Sequence, residues 1–255
     1  MSYRVGLVGT GGIARAHGNA CQQIEEADLV AIYDVSEEQL ASYGEEFAVE
    51  ARYTDLGEML AKENLDIVVI CTWGCFHAEV GIEVCTSGKV KAVLCEKPFT
   101  QTAAEAAAFV AAGKANGVLV AEAFKFRHHP MHLKAQEMIE SGAIGDLLNV
   151  RSTFCTNSGR LVTDRTPESN WRFNKAKGGG SIYDLACYNI HHARAVFGED
   201  PERVFASQEL GIEADDAASI MLAFSGGRTA QISVGFKSFN SQYAEISGHA
   251  GMLRL

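Results

Sequence analysis

Two short segments carry groups that could do chemistry together. The first is a glycine loop over Gly9–Ala14 with the pattern Gly-x-Gly-x-x-Ala, and the second is the Glu-Lys-Pro sequence of Glu96–Pro98. The loop follows an apolar strand pattern and opens a helical pattern, the context in which such glycines bind a dinucleotide. The lysine adds an amine that can donate to a hydroxyl or carbonyl oxygen. Together the two segments predict redox chemistry with a nicotinamide cofactor.

The small residues of the loop have separate predicted roles. Gly9 permits the tight turn, Gly11 lets the backbone approach the pyrophosphate, and Ala14 allows close packing of helix on strand. Gly12 and Ile13 complete the loop, whose helix-terminal N–H groups would face the phosphates. The alternative is that the glycines only make a turn.

Asp34 is the predicted ribose ligand. It ends the second predicted strand, where a carboxylate accepts both ribose hydroxyls and repels a 2′-phosphate, so that NAD is favoured over NADP. Asp34 could instead cap the following helix, but Ser36 can take that role.

Lys97 is held extended by the ring of Pro98, which fixes the direction of its side chain. Taken alone, it could equally be a surface lysine paired with Glu96. A second cluster changes this interpretation, because helical spacing after Gly178–Gly180 would place Asp184, Tyr188 and His191 on one face.

The predicted elements indicate an α/β protein of two domains. Residues 1–123 alternate strands with helices, which predicts a doubly wound parallel sheet, a Rossmann domain for NAD(P). Residues 124–255 predict an α+β domain for substrate binding and oligomerisation with a mainly antiparallel open sheet, including a hairpin at Ser225–Arg228. The strand candidates are Tyr3–Val8, Leu29–Tyr33, Ile67–Cys71, Val90–Cys95, Val118–Ala121, Leu147–Thr156, Ser219–Phe224, Thr229–Phe236, Tyr243–Ser247 and Met252–Leu255.

Composition narrows the functional classes. The 255 residues carry a net charge of -10 without a basic stripe, which argues against nucleic-acid and membrane partners. No apolar run is long enough to span a bilayer and no signal peptide follows Met1, so we expect a cytoplasmic protein. Seven scattered cysteines are typical of reduced thiols, and we expect no metal. The uncovered strand pattern at Met252–Leu255 predicts that the natural chain continues.

The ordered motifs resemble the Gfo/Idh/MocA oxidoreductase family, named for glucose-fructose oxidoreductase and inositol dehydrogenase. The resemblance covers nearly the whole chain and rests on the glycine loop, Glu96–Pro98, Glu122–Pro130, Trp171-Arg172 and Gly178–His191. The family's helix motif usually ends in histidine, whereas Tyr188 stands there in this chain. This variant is similar to the branch that contains glucose-fructose oxidoreductase and the dihydrodiol and xylose dehydrogenases.

The resemblance implies that Lys97 and Tyr188 are the catalytic pair, with Tyr188 removing a hydroxyl proton and the Lys97 ammonium favouring its ionised form. Asp184 would hold a substrate hydroxyl or orient Lys97. Thr72, Trp73 and His77 match a degraded cofactor-binding motif of the family, and Glu96 and Lys97 join these contacts. Candidate substrate ligands are Arg127, Arg160, Arg172 and His191, although their segments could also be solvated or structural.

The sequence therefore predicts an NAD(P)-dependent dehydrogenase or reductase of a sugar, inositol or related cyclic polyol. It would act on a small molecule as a homodimer or homotetramer formed through the C-terminal sheet. Two alternatives stay open: a glycosidase of the same family that uses NAD transiently, and a catalytically silent dinucleotide-binding regulator.

Overall fold

The computed structural model describes residues 2–255 and divides the chain into two compact units, Met1–Ala123 and Phe124–Leu255. Each unit is built on one six-stranded sheet. Within the described range, every helix is too short or too polar to cross a membrane.

The first unit is a parallel sheet in the order β3-β2-β1-β4-β5-β6. Its chain enters the sheet at the centre and then fills one side before the other, the doubly wound topology that the sequence predicts. In such sheets ligands bind outside the carboxyl ends of the strands where the order reverses, here between β1 and β4. The elements are β1 Tyr3–Val8, α1 Ala14–Gln23, β2 Ala27–Tyr33, α2 Glu37–Glu46, β3 Ala51–Tyr53, α3 Leu56–Lys62, β4 Ile67–Ile70, α4 His77–Thr86, β5 Ala92–Cys95, α5 Ala103–Ala115 and β6 Leu119–Glu122.

The central strands are apolar along their length because helices cover both faces of the sheet. Val68 and Ile70 of β4 are fully buried, as are Leu7 and Val8 of β1. This continuous burial explains why the pattern of β4 could be recognised in the sequence. The edge strand β3 and the helix α3 lack such a run, and the predicted elements did not include them.

The second unit is a mixed sheet in the order β12-β11-β7-β10-β9-β8. All its strand pairs are antiparallel except β10 with β7, which confirms a mainly antiparallel open sheet. The elements are α6 Pro130–Glu140, β7 Leu147–Cys155, α7 Arg160–Thr163, α8 Cys187–Phe197, β8 Arg203–Leu210, β9 Asp215–Ala223, β10 Thr229–Gly235, β11 Ser241–Gly248 and β12 Met252–Arg254.

The hairpin between β9 and β10 forms where the sequence predicts it. Gly226 and Gly227 have φ angles of 64° and 77°, and the strands pair from Thr229 opposite Ala223. Alternation along β9 buries Ile220 and leaves Met221 on the opposite, exposed face.

The helix predicted to begin at Ser181 has two parts. Ile182–Ala186 form a π-helical turn, and only from Cys187 does the chain continue as the α-helix α8. Single π-turns of this kind are frequent at functional sites. The first turn therefore departs from the α-helical spacing assumed for Asp184.

His192 on α8 packs against Phe126 and His132, with ring centroids 6.2 and 5.4 Å apart. Burial, helped by the neighbouring His132 and His191, lowers the pKa of His192 from 6.5 to about 4. The unfolded chain therefore binds more protons between these two values, and stability present above pH 6.5 is lost as the pH falls toward 4.

We expect the free energy of unfolding to fall by up to about 3 kcal/mol over that range. The variant H192Q should flatten this dependence in urea denaturation followed by circular dichroism. The exposed His128 provides the control variant H128Q. An unchanged slope in H192Q would assign the pH dependence to other groups.

Candidate active site

The fold requires glycine at one position of the glycine loop, Gly9, but not at Gly11 or Gly12. Gly9 has a φ of 90°, and a Cβ there would lie 2.8 Å from the backbone nitrogen of Thr72, in the loop after β4. A Cβ at Gly11 or Gly12 would meet no heavy atom within 4 Å. Packing of the protein therefore gives no reason for glycine at these two positions, whereas close approach of a ligand to the backbone does.

Two further features suit the phosphates of a bound dinucleotide, one in the glycine loop and one in the neighbouring loop after β4. No side chain caps the first turn of α1, which begins after the exposed Ile13, so its N–H groups and the positive end of the helix dipole suit an anion. The hydroxyl oxygen of Thr72 is buried without a hydrogen-bond partner. A buried hydroxyl of this kind is satisfied when a bound group supplies the missing bond.

Asp34 is held in place by the glycine loop. Its Oδ2 accepts from the backbone nitrogen and hydroxyl of Thr10 at 2.7 and 3.0 Å, and its Oδ1 accepts from the backbone nitrogen of Ser36 at 3.0 Å. Ser36 itself caps α2 by accepting from the backbone nitrogen of Gln39, as the sequence suggested. A carboxylate has about four acceptor positions, so these three bonds fix its direction and leave capacity for a ribose hydroxyl.

His77 joins two loops at the carboxyl edge of the sheet. It is buried, and its Nε2 and Nδ1 lie 3.0 Å from the carbonyl oxygens of Thr72 and Pro98. Burial lowers the pKa of His77, against the opposing effect of these carbonyls. Both nitrogens thus face backbone carbonyls, so His77 holds the two loops in position relative to each other. Trp73, in the loop between them, is 40% exposed.

Lys97 is partly buried and follows Glu96, which is only 8% exposed. One oxygen of Glu96 accepts from Nε2 of His17 at 2.8 Å, and the other accepts from the backbone nitrogen of Lys97 at 3.2 Å. His17 lies on α1, so this pair ties the glycine-loop helix to the segment that carries Lys97. Sequence reasoning missed His17, because no local pattern marks a partner 79 residues away.

Glu122, at the end of β6, is a second residue that sequence reasoning left without a role. Burial raises its pKa from 4.5 to about 7, the charge of Glu96 adds to the shift, and a backbone hydrogen bond from Phe99 and the charge of Lys97 oppose it. A carboxyl that titrates near neutrality is a common property of functional sites.

In the second unit, Asp184 pairs with Arg172. Asp184 is 3% exposed, and its Oδ2 accepts from Nε of Arg172 at 2.6 Å, while the guanidinium lies 4.8 Å over the ring of Trp171. This contact fixes Arg172 and neutralises a buried carboxylate. Two residues predicted to have separate roles therefore form one ion pair.

Tyr188 and His191 share a second set of neighbours. The Tyr188 ring lies 5.2 Å from Phe124 and 5.9 Å from Phe126, and His191 stacks on Phe124 at 4.5 Å. Phe154 of β7 also contacts Tyr188, at 5.5 Å. These rings fix the direction of the phenol, which is a requirement for a positioned acid or base.

The remaining predicted substrate ligands differ in their surroundings. Arg127 lines an open cavity of about 340 Å³ together with His191 and Arg194. Arg160 instead donates to Asp164 and to the backbone of Ser169, both at 2.6 Å, within its own loop. Its role toward a substrate stays a prediction.

Comparison with known proteins identifies the family of each unit. Residues 3–124 match the model of an oxidoreductase family with an NAD-binding Rossmann fold, and residues 132–254 match that of the GFO/IDH/MocA C-terminal domain. A D-apiose dehydrogenase from Paraburkholderia graminis is 31% identical over 99% of this chain and 67% of its own length. A Haloferax volcanii D-xylose 1-dehydrogenase (NADP(+)) is 30% identical over 97% of this chain and 74% of its own.

Among solved structures, a levoglucosan dehydrogenase in complex with NADH and L-sorbose superposes with a TM-score of 0.90 at 26% identity. That alignment covers 100% of this chain and 73% of the other. The chain thus spans about two thirds to three quarters of the length of these relatives.

The two kinds of glycine give a testable contrast in stability. We expect G9A to lower the free energy of unfolding by about 1 to 3 kcal/mol or more, because alanine is strained at positive φ and its Cβ would meet backbone. G11A should stay within about 0.5 kcal/mol of the wild type. Urea denaturation measures both, and equal losses in the two variants would contradict the distinction.

Proposed function

Because the chain belongs to the Gfo/Idh/MocA oxidoreductase family, we propose that it transfers a hydride between a nicotinamide dinucleotide and a hydroxyl or carbonyl carbon of a sugar, inositol or related cyclic polyol. The observation that carries this proposal is the open backbone at Gly11 and Gly12 before the uncapped start of α1. The protein's own packing does not account for that opening, and a bound pyrophosphate does.

In this proposal the residues of the first unit hold the cofactor. Gly9–Ile13 bind the pyrophosphate, and Asp34 accepts from the adenosine ribose. Since its carboxylate would repel a 2′-phosphate, NAD is preferred over NADP. Thr72 offers its unpartnered hydroxyl, while His77 and Glu96 keep the surrounding loops in position.

The proposed chemistry uses Tyr188 and Lys97 on the same substrate. The bound cofactor accepts or supplies the hydride at its nicotinamide ring. For oxidation, the ionised phenol of Tyr188 takes the proton of the substrate hydroxyl as the carbon gives up its hydride. The ammonium of Lys97 favours the ionised phenol, since a nearby positive charge stabilises an anion.

Asp184 contributes by fixing Arg172, whose remaining guanidinium N–H groups suit a substrate oxygen. Arg127 and His191 offer a second set of polar groups at an open cavity. A polyhydroxylated ring needs several such groups to be oriented for reaction, which favours a sugar or polyol over an apolar alcohol. Among the four predicted substrate ligands, Arg160 is the least favoured, because its guanidinium already donates to groups of its own loop.

The test separates binding from chemistry. NADH and NADPH are titrated by tryptophan fluorescence, and a panel of aldoses and cyclic polyols is then assayed by the absorbance of reduced nicotinamide. We expect NADH to bind more tightly than NADPH. K97M and Y188F should lower turnover by about 10²-fold or more while leaving NADH affinity nearly unchanged.

G11A should do the opposite and weaken NADH binding, because its new Cβ occupies the open space beside the backbone. K114M, at an exposed lysine of α5, is the matched control for K97M.

Full turnover by K97M or Y188F would refute the catalytic pair. Net release of reduced cofactor into solution separates the dehydrogenase from an NAD-using glycosidase, and no turnover across the panel would favour a silent regulator.

We further propose that the protein forms a homodimer or homotetramer through the exposed face of its second sheet. This face carries a shallow groove of about 560 Å³ lined by Phe205, Met221 and Tyr243, of which Phe205 is 52% and Met221 is 40% exposed. Large apolar side chains on an open sheet are typical of interaction surfaces.

Light scattering after size exclusion should therefore give a mass of two or four chains. The double variant F205E/M221E should shift it toward one chain, since two charges would be buried in the interface. V162E, at an exposed residue of α7, is the control. A wild-type monomer would refute the proposed assembly.

A further inference from the structure

The carboxylate of Asp215 binds the start of the π-helical turn. Asp215 is the first residue of β9, and its Oδ2 accepts from the hydroxyl of Ser181 at 2.5 Å and from the backbone nitrogen of Ile182 at 3.0 Å. Ser181 is fully buried. A single carboxylate oxygen therefore fixes the residue before the turn and the first residue within it.

This contact takes the place of a cap that the turn does not have. The N–H groups in the first turn of a helix lack partners within it, and a serine before the turn usually accepts from one of them. The side chain of Ser181 makes no such bond and instead donates to Asp215. Asp215 thus supplies both an acceptor and a negative charge at the positive end of the helix that continues as α8.

Gly180 leaves the space that this carboxylate occupies. Its φ is 117°, and a Cβ there would overlap Oδ1 of Asp215. Its backbone nitrogen donates to the carbonyl oxygen of Arg172 at 2.8 Å, and its own carbonyl accepts from the backbone nitrogen of Asp184 at 3.0 Å. The residue against which Asp215 packs is thus hydrogen-bonded to the backbone of both members of the ion pair between Asp184 and Arg172.

The neighbouring Gly179 packs closely on the segment that carries Arg172. A Cβ at Gly179 would lie 2.5 Å from the carbonyl oxygen of Trp171 and 2.6 Å from that of Arg172. The start of the turn therefore contacts this segment through its glycines and β9 through Asp215. A shift of the turn would move Asp184 relative to Arg172, whose side chain it holds at 2.6 Å.

We propose that Asp215 is a positioning residue that holds the π-helical turn so that Asp184 orients Arg172 toward the substrate. This inference rests on the proposed role of Arg172 as a substrate ligand. Without the Asp215 carboxylate, the first N–H group of the turn loses its acceptor. The carboxylate of Asp184 then no longer keeps the Arg172 guanidinium in one orientation.

The pairing of Asp184 with Arg172 is measured first, without turnover. Nitrogen-15 NMR of arginine side chains should show an Arg172 Nε–H signal, identified by its loss in R172K, that exchanges slowly with water because it donates to a buried carboxylate. D215A should speed this exchange by about fivefold or more, the factor that corresponds to a lost helix cap. D215N keeps an oxygen that can accept from Ser181 and Ile182, and it should retain the slow exchange.

D55A is the matched control, because Asp55 caps another helix with the same chemical group. Its carboxylate accepts from the backbone nitrogen of Glu58 at 2.7 Å at the start of α3, in the first unit. D55A and D215A should both lower the urea midpoint of unfolding. D55A should leave the exchange of the Arg172 Nε–H group unchanged.

The second measurement is steady-state kinetics with the sugar or polyol that the panel identifies. D215A should raise KM for this substrate by about tenfold, because a charged hydrogen-bond donor is misplaced, and should leave NADH affinity unchanged. In an R172M background, where the ion pair is already absent, D215A should have no further effect on KM. A purely structural role for Asp215 predicts lower stability without this dependence on Arg172.

The outcomes separate this inference from the proposed function. Unchanged Nε–H exchange in folded D215A overturns the positioning role, even in an active enzyme. Faster exchange in D215A, together with a wild type that turns over no substrate, supports the positioning of Arg172 and refutes the dehydrogenase. Faster exchange with an unchanged KM overturns the link to substrate binding.

S181A decides the question if D215A does not fold. This variant removes the hydroxyl that donates to Asp215 and leaves the backbone contact of Ile182 in place. It should speed the Nε–H exchange of Arg172 in the same direction, and an unchanged rate would overturn the inference.

Discussion

The contact on which the rest of the first unit depends is the pair of His17 with Glu96. A carboxylate with 8% exposure is costly to bury unless it is hydrogen-bonded to a donor. His17 supplies that donor from α1, and Glu96 in turn receives the backbone nitrogen of Lys97. The helix that opens at the glycine loop and the strand end that presents the lysine are therefore fixed to each other. The proposed cofactor loop and the proposed catalytic lysine therefore share one support.

Much of this architecture could be predicted from the sequence, because it follows from local patterns. The fully buried β4 is an unbroken apolar run, and the hairpin at Gly226 needs positive φ, which glycine supplies. The prediction failed where the sequence pattern is weak. It did not include β3, a three-residue edge strand, and it assumed α-helical spacing at Ile182–Ala186, where the turn is π-helical. Neither a short edge nor an extra residue in a helical turn leaves a periodic signal.

The candidate site shows the same division. The glycine loop and Asp34 stand in a local order that the sequence displays, but their partners do not. Thr10 meets Asp34 only because β1 and β2 are neighbours, and Glu122 meets the Lys97 segment only through the register of β5 with β6. Asp184 likewise binds Arg172 rather than standing alone. Sequence spacing identifies side chains that could take part in a reaction. The contacts made in the folded protein determine their charge and their orientation.

The ring of His77 contacts one backbone carbonyl in each of two loops. A neutral imidazole carries a single N–H, yet carbonyl oxygens lie 3.0 Å from both of its ring nitrogens. The loops of Thr72 and Pro98 therefore share one hydrogen, and the tautomer that satisfies one leaves the other facing a lone pair. The ring can therefore donate to only one of the two loops at a time, and through these contacts it links the loop after β4 to the segment that follows Lys97.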